Sequence, residues 1–362
     1  MIDLDRYERK IMVTGGAGFI GSNLLHYMVN KYPHYLFINI DKLTYAGNLS
    51  NLIEIQNLEN YRFIKGDIKD QYLIGQIFRD FGINGIINLA AESHVDRSIM
   101  GPAPFIETNI LGTFTLLQES LRHMDKNIPF RFHQVSTDEV FGSLGSDGYF
   151  REESRYNPSS PYAASKASSD HFVNAFNKTY GLDTVISNSS NNYGPYQFVE
   201  KLIPLMIYNG MKGNILPVYG DGCQVRDWLY IADHCQALDL LFHQGHSGRT
   251  YNIGGNNEIK NIELVEKICQ ILNQETGKDG HEKLIRFVED RPGHDRRYAI
   301  DASVIKNELG WRPGHSFDEG LRKTVKWYME HMDWIESCVS REYMEYYDKW
   351  YKRRLDKKNH AE

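Results

Sequence analysis

The run Ser136-Thr137-Asp138-Glu139 sets a hydroxyl and two adjacent carboxylates directly after an apolar-rich stretch, Phe130 to Val135, that reads as a strand. Strand ends are where open α/β sheets keep their chemistry. Neighbouring carboxyls need not share one environment, so one can be held protonated as a general acid while the other stays ionised as a base. That pairing is the equipment for an elimination. The same letters also spell an ordinary helix start, with Thr137 as N-cap and acids in the first turn. Further along, Tyr162 and Lys166 stand four apart in a segment, Tyr162 to Tyr180, whose periodicity is helical and which starts behind Pro161. They therefore share a face. An ammonium beside a phenol favours the phenolate, bringing a pKa of about 10 down towards a value useful to a base. The chemistry this suits is oxidation of an alcohol, although the spacing is also that of an ordinary surface pair.

The elements that must position these residues begin with Ile11-Met12-Val13, a buried strand that runs into Gly15-Gly16-Ala17-Gly18-Phe19-Ile20-Gly21 and then a helical pattern, Ser22 to Val29. Gly15, Gly18 and Gly21 have the G-x-x-G-x-x-G spacing. A tight turn, close approach of backbone to a pyrophosphate and close helix-on-strand packing all require glycine there, with the anion at the positive helix end. A second strand, Tyr35 to Ile40, ends in Asp41, at the distance expected of the acid that binds an adenosine ribose. A carboxylate accepts hydrogen bonds from a 2′-hydroxyl and repels a 2′-phosphate, so NAD is favoured over NADP. Tyr61 to Lys65 and Gly85 to Leu89 read as the third and fourth strands. Asp67-Ile68 would flank the adenine, and Ala90-Ala91 would pass under the pyrophosphate and nicotinamide ribose. Alternating strands and helices from residue 10 to residue 137 describe an α/β, doubly wound parallel Rossmann sheet.

The chain has 362 residues, enough for one large α/β domain and a smaller lobe. A net charge of −6 with both signs interspersed gives no basic field for nucleic acid, so an anionic ligand must be met by local Arg, Lys and backbone amides. Cys223, Cys235, Cys269 and Cys338 lie far apart without a C-x-x-C pair, which argues against a zinc site or a disulfide framework. No metal is expected. Charged residues up to Lys10 and the break at Thr14-Gly15-Gly16 fit neither a signal peptide nor a spanning helix, so the expectation is a cytoplasmic protein with no membrane partner. Asn109 to Leu121 has helical periodicity, and Thr184 to Asn191 reads as another strand. Past Asn191-Asn192-Tyr193-Gly194-Pro195 the composition shifts towards Gly and Pro. The division expected is 1–193 for the dinucleotide-binding domain, with a segment near 228–253 rejoining it, 194–340 mainly for a substrate lobe, and 341–362 for a C-terminal helix and tail. Ile262 to Leu272 and Phe317 to Met329 read as amphipathic helices, Gly220-Asp221-Gly222 and Gly254-Gly255 as turns. Arg226, Arg291, Arg296 and Arg297 supply the cations a nucleotide diphosphate needs.

With those residues in view, the chain resembles the extended short-chain dehydrogenase/reductases, and within them the nucleotide-hexose 4,6-dehydratases, over nearly its whole length to Trp327. The resemblance is carried by Val13 to Gly21, by Ala91-Glu92-Ser93-His94-Val95-Asp96-Arg97-Ser98, by Ser136 to Val140 and by Tyr162-Ala163-Ala164-Ser165-Lys166. Asn191 to Tyr196, Arg226-Asp227-Trp228 and the run from Asp290 to Tyr298 match as well. Phe141, where Tyr is usual, departs from the pattern, as do a longer N-terminus and tail. The resemblance implies dehydration of dTDP-glucose to dTDP-4-keto-6-deoxyglucose, with transient reduction of NAD+ at C4, elimination across C5 and C6, and hydride return to C6. It gives Tyr162 the role of base towards the 4-hydroxyl, Lys166 that of tuning it, Thr137 a bond to the 4-oxygen, Glu139 the C5 proton and Asp138 the leaving 6-hydroxyl. To the cofactor it assigns Lys42, Thr44, Leu89, Ser93, Thr108 and Asn191 beside the residues above. To the sugar nucleotide it assigns Ser93, Thr137, Asn192, Lys201, Pro217, Tyr219, Arg226, Asn261, Arg291, His294 and Tyr298. It also implies a homodimer through a four-helix bundle of the Asn109–Leu121 and Tyr162–Tyr180 helices. An NAD-dependent 4-epimerase and a dehydratase acting on UDP-glucose stay open, as does a non-catalytic dinucleotide-binding protein. The residues themselves do not separate thymidine from uridine.

Overall fold

Alternation of apolar side chains in the first strand divides the interior in two. In β1 (Arg9–Thr14), Ile11 and Val13 point to one face of a sheet and Met12 to the other, all fully buried. The computed structural model describes residues 3–125, 127–291, 293–339 and 347. From β1 the chain forms α1 (Phe19–Lys31), β2 (Tyr35–Asp41), β3 (Tyr61–Lys65), α2 (Gln71–Phe81) and β4 (Gly85–Asn88). Short helices α3 (Val95–Met100) and α4 (Ala103–Phe105) lead through a π-helical stretch, Ile106–Gly112, into α5 (Thr113–His123). Then come β5 (Arg131–Thr137), α6 (Pro161–Tyr180), β6 (Thr184–Ser189) and β7 (Asn191–Tyr193). The rest comprises α7 (Leu202–Lys212), β8 (Leu216–Tyr219), β9 (Val225–Tyr230), α8 (Ile231–Gln244), β10 (Arg249–Ile253), β11 (Glu258–Lys260), α9 (Asn261–Thr276), β12 (Ile285–Val288), α10 (Ser303–Leu309), α11 (Phe317–Glu330) and α12 (Met332–Cys338).

Seven parallel strands stand in the order β10-β6-β5-β4-β1-β2-β3. Helices α1 and α8 cover the face that Ile11 and Val13 enter, and α2, α5 and α6 cover the other. The winding reverses between β1 and β4, and the crevice outside strand ends at such a reversal is where doubly wound sheets bind ligands. There Thr14 Oγ1 accepts from the amides of both Leu89 and Ala90, at 3.1 Å each, so the two strand ends are held together. Gly15 takes φ +70°, and a Cβ on it would lie 2.7 Å from Ala90 N. Only glycine fits this crossing.

A second core is built by α7, α9 and α11 over β8, from Ile203, Met206, Leu264, Ile268, Leu321 and Val325 among others. It is flanked by the pair β8–β12 and by a sheet of β11, β9 and β7. Thr184 to Asn191 is not one strand. The run divides at Ser190, whose amide bonds Ile253 O: β6 stays in the large sheet, while Asn191 pairs with Trp228 of β9. The expected helix over Asn109 to Leu121 starts earlier and is π-helical to Gly112. Asn109 is drawn out of helical register by bonds to the Glu92 backbone and to Ser165 Oγ. The stretch expected as a C-terminal helix and tail lies outside the described residues except for Tyr347. No helix among the described residues is long and apolar enough to cross a membrane.

Candidate active site

The glycine turn ends on the N-terminus of α1, which has no side-chain cap and no acid in its first turn. Its amides and partial positive charge are therefore offered to an anion in the cavity alongside. That first cavity is lined by Gly15, Gly18, Phe19, Ile20, Gly21, Asp41, Lys42, Thr44, Asp67, Ile68, Leu89, Ala90, Ala91, Ser93, Thr108, Tyr162 and Lys166. These include every residue expected to hold the cofactor except Asn191. Asp41 is held by the amides of Ala17 and Leu43, at 3.0 and 2.8 Å, and Lys42 Nζ donates to Thr108 Oγ1 at 3.1 Å. An uncapped helix end, glycine where backbone must be approached and a fixed acid at the end of β2 together fit NAD.

A second cavity adjoins it, with Glu200 and Lys201 lining both. Its walls carry Glu139, Asn191, Pro217, Tyr219, Arg226, Asn261, Arg291, His294 and Tyr298. Asn191 thus faces the second cavity and not the first. Asn192 lines neither; its amide donates to Ser190 O at 3.0 Å. Arg291 donates to Asp96 Oδ1 at 3.1 Å, and Tyr219 to Asp96 Oδ2 at 3.2 Å, while the Arg226 guanidinium lies 4.4 Å over the Tyr298 ring. Arg291 Nε and Asn261 Oδ1 are buried with no partner among the described residues. A donor and an acceptor left unmatched in one pocket fit a polar ligand. Arg296 and Arg297 are elsewhere, in ion pairs with Asp221 and Glu258.

Between the cavities the end of β5 meets α6. Thr137 does cap a helix, accepting from the Glu139 amide at 3.3 Å, but the helix is one 3-10 turn, Asp138–Phe141, and its acids turn inward. The cap reading of Thr137 is thus met, and the two acids that follow it are directed into the interior. Asp138 is 2% exposed, and burial, then Glu139 and Asp227, push its carboxyl well above the usual range. Glu139 is also raised by burial, but Arg291, Lys201 and Arg226 all oppose the shift. Burial thus raises both carboxyls, with like charges adding to the rise at Asp138 and three cations opposing it at Glu139. Phe141 is buried below, stacked on Phe150.

The phenol behaves otherwise than its spacing suggests. Tyr162 is pushed far up by burial and then by Glu139, whereas Lys166 directs its ammonium to Val135 O, at 2.7 Å. Burial lowers Lys166 itself.

Sequence reasoning passed over Glu200. Its side chain, 2% exposed, accepts from Arg97 Nε at 3.1 Å, and the Arg97 guanidinium lies 3.9 Å over the Tyr45 ring. This clasp joins the loop after β2 to the segment between the cavities. A lone acid inside the apolar run Phe198 to Ile207 was the available signal.

The model for the family described as GDP-mannose 4,6 dehydratase matches residues 12–324. A dTDP-glucose 4,6-dehydratase of Escherichia coli is 52% identical over 353 residues, covering 92% of this chain and 97% of the relative. Among solved structures, the dTDP-glucose 4,6-dehydratase of Bacillus anthracis in complex with NAD has a TM-score of 0.83 at 48% identity, covering 91% of this chain and 99% of that one. The Streptomyces venezuelae dTDP-glucose 4,6-dehydratase, also with NAD bound, reaches 0.84 at 46% identity over the same shares. A match of this extent means that the chain belongs to the GDP-mannose 4,6 dehydratase family, among relatives named dTDP-glucose 4,6-dehydratase.

Proposed function

We propose that the protein converts dTDP-glucose to dTDP-4-keto-6-deoxyglucose and water, with NAD in the first cavity and the sugar nucleotide in the second. The observation that carries this is the placement of Asp138 and Glu139 at the end of β5 beside Tyr162, where Tyr162 lines the first cavity and Glu139 the second. Residues 1–193, with the segment near 228–253, hold the cofactor, and 194–340 mainly hold the substrate. The α1 amides take the pyrophosphate, Asp41 the adenosine ribose, Asp67 and Ile68 the adenine side, and Lys166 the nicotinamide ribose. NAD, when bound, supplies the hydride acceptor for C4. Lys201, Arg226 and Arg291 meet the diphosphate.

Tyr162, as the phenolate, would take the proton of the sugar 4-hydroxyl, with Thr137 bonding the 4-oxygen. A C4 ketone acidifies the C5 proton, which Glu139 removes. Asp138, its carboxyl raised by burial, protonates the 6-hydroxyl as it leaves as water, and the hydride that a bound NAD would have taken from C4 would return to C6 as C5 is reprotonated. Mass spectrometry of products from a panel of nucleotide hexoses tests the reading: dTDP-glucose should lose water, and a product of unchanged mass with inverted C4 would make the protein an epimerase instead.

A further expectation concerns cofactor choice. Setting Asp41 against a 2′-phosphate juxtaposes like charges at a cost of several kcal/mol, so NAD should bind about 100-fold or more tighter than NADP. Titration calorimetry checks this, and equal affinities would remove Asp41 from the role.

The reading includes a homodimer in the cytoplasm. Ile106, Leu111, Phe172 and Tyr180 are exposed on the π-helical stretch and on α6, the faces a four-helix bundle would cover. The four cysteines are free, as a reducing compartment would leave them. Light scattering at micromolar concentration should give twice the chain mass; the monomer mass would contradict the dimer.

A further inference from the structure

Asp170 lies on α6 one turn beyond Lys166, and the chemistry above gives it nothing to do. It is fully buried. Its Oδ2 accepts from Ser136 Oγ at 2.5 Å and from Tyr156 Oη at 3.2 Å, while Oδ1 has no donor among the described residues. Lys166, meanwhile, donates to the carbonyl of Val135. Two side chains one turn apart on α6 thus grip two consecutive residues of β5, directly before Thr137, Asp138 and Glu139. An asparagine could accept the same two hydroxyl donors without the cost of burying a charge. The choice of a carboxylate asks for an electrostatic reason, and Lys166 is that reason: burial disfavours its ammonium, and the Asp170 charge opposes this.

We propose that Asp170 is a positioning residue for the Tyr162–Lys166 pair, its carboxylate anchored at the end of β5 as the counter-charge of the buried Lys166 ammonium. The proposal rests on the reading of Tyr162 and Lys166 given above. The groups acting on Asp170 are Lys166 from its own helix, the Ser136 hydroxyl from β5 and Tyr156 from the loop before α6, against which the His171 ring packs at 5.3 Å. Burial raises the Asp170 carboxyl to about 6 against these three, so the charge is present at neutral pH. Tyr162 feels it too, as one of the negative charges that hold the phenol protonated.

The test is the titration of Lys166 in lysine-labelled protein by NMR, comparing the parent with Asp170→Asn, both free and loaded with NAD. Without its counter-charge the ammonium loses its proton earlier, so the Lys166 pKa should fall by about one pH unit, the lower end of what a neighbouring opposite charge exerts. A Lys166 titration unchanged by Asp170→Asn overturns the proposal. If Asp170→Asn does not fold, Asp170→Ser, smaller and also uncharged, is read in the same way. The lysine titration needs no turnover, so it answers for Asp170 alone, whereas conversion of dTDP-glucose by the parent answers for the functional reading.

Discussion

Glu139→Gln should leave C4 oxidation running while removal of the C5 proton stops, so turnover falls about 10²- to 10⁴-fold, the usual cost of losing a general base. The amide keeps the shape of the carboxyl and loses the proton acceptor. Reduced-nicotinamide absorbance should therefore rise on mixing with substrate and persist. Asp138→Asn should differ in kind. C5 exchange with solvent deuterium continues, because Glu139 and the three cations around it are untouched, while loss of water slows for want of a proton donor. Rapid-quench mass spectrometry in deuterium oxide separates the two variants. Exchange at C5 as fast in Glu139→Gln as in the parent would remove Glu139 from its role and return Thr-Asp-Glu to a helix cap.

Tyr162→Phe should block one step earlier. No group then takes the proton from the 4-hydroxyl, so neither the ketone nor the reduced-nicotinamide absorbance forms, and turnover falls about 10²- to 10⁴-fold. Substrate affinity should stay close to that of the parent, since Lys201, Arg226 and Arg291 are unchanged. Calorimetry with dTDP-glucose and stopped-flow absorbance make the comparison. Accumulation of reduced cofactor in Tyr162→Phe would mean that another residue accepts that proton.

What was legible in the sequence was local. The turn from β1 into α1 follows from an apolar run meeting glycine at fixed spacing, and Tyr162 and Lys166 share a face because a helix places i and i+4 together. Thr137 to Glu139 could be placed at a strand end by the apolar run before it. What was not legible depends on partners distant in sequence. Nothing in Thr184 to Asn191 announces the break at Ser190, which exists because Trp228 and Ile253 take up neighbouring residues. The four arginines look alike as letters. Asp221 and Glu258 draw off Arg296 and Arg297, while Arg226 and Arg291 are left to the cavity. Glu200 escaped notice because its partners Arg97 and Tyr45 come from elements far back in the chain. Nor does the spacing of Tyr162 and Lys166 show that burial, and then Glu139 from the end of β5, push the phenol up.

The measurement that tests the account most directly is the mass of the product formed from dTDP-glucose in deuterium oxide. The account predicts a product lighter by one water, a 6-deoxy-4-keto sugar that has taken a solvent deuterium at C5 through the Glu139 step. A product of unchanged mass, altered only in configuration at C4 and carrying no deuterium on carbon, would contradict it.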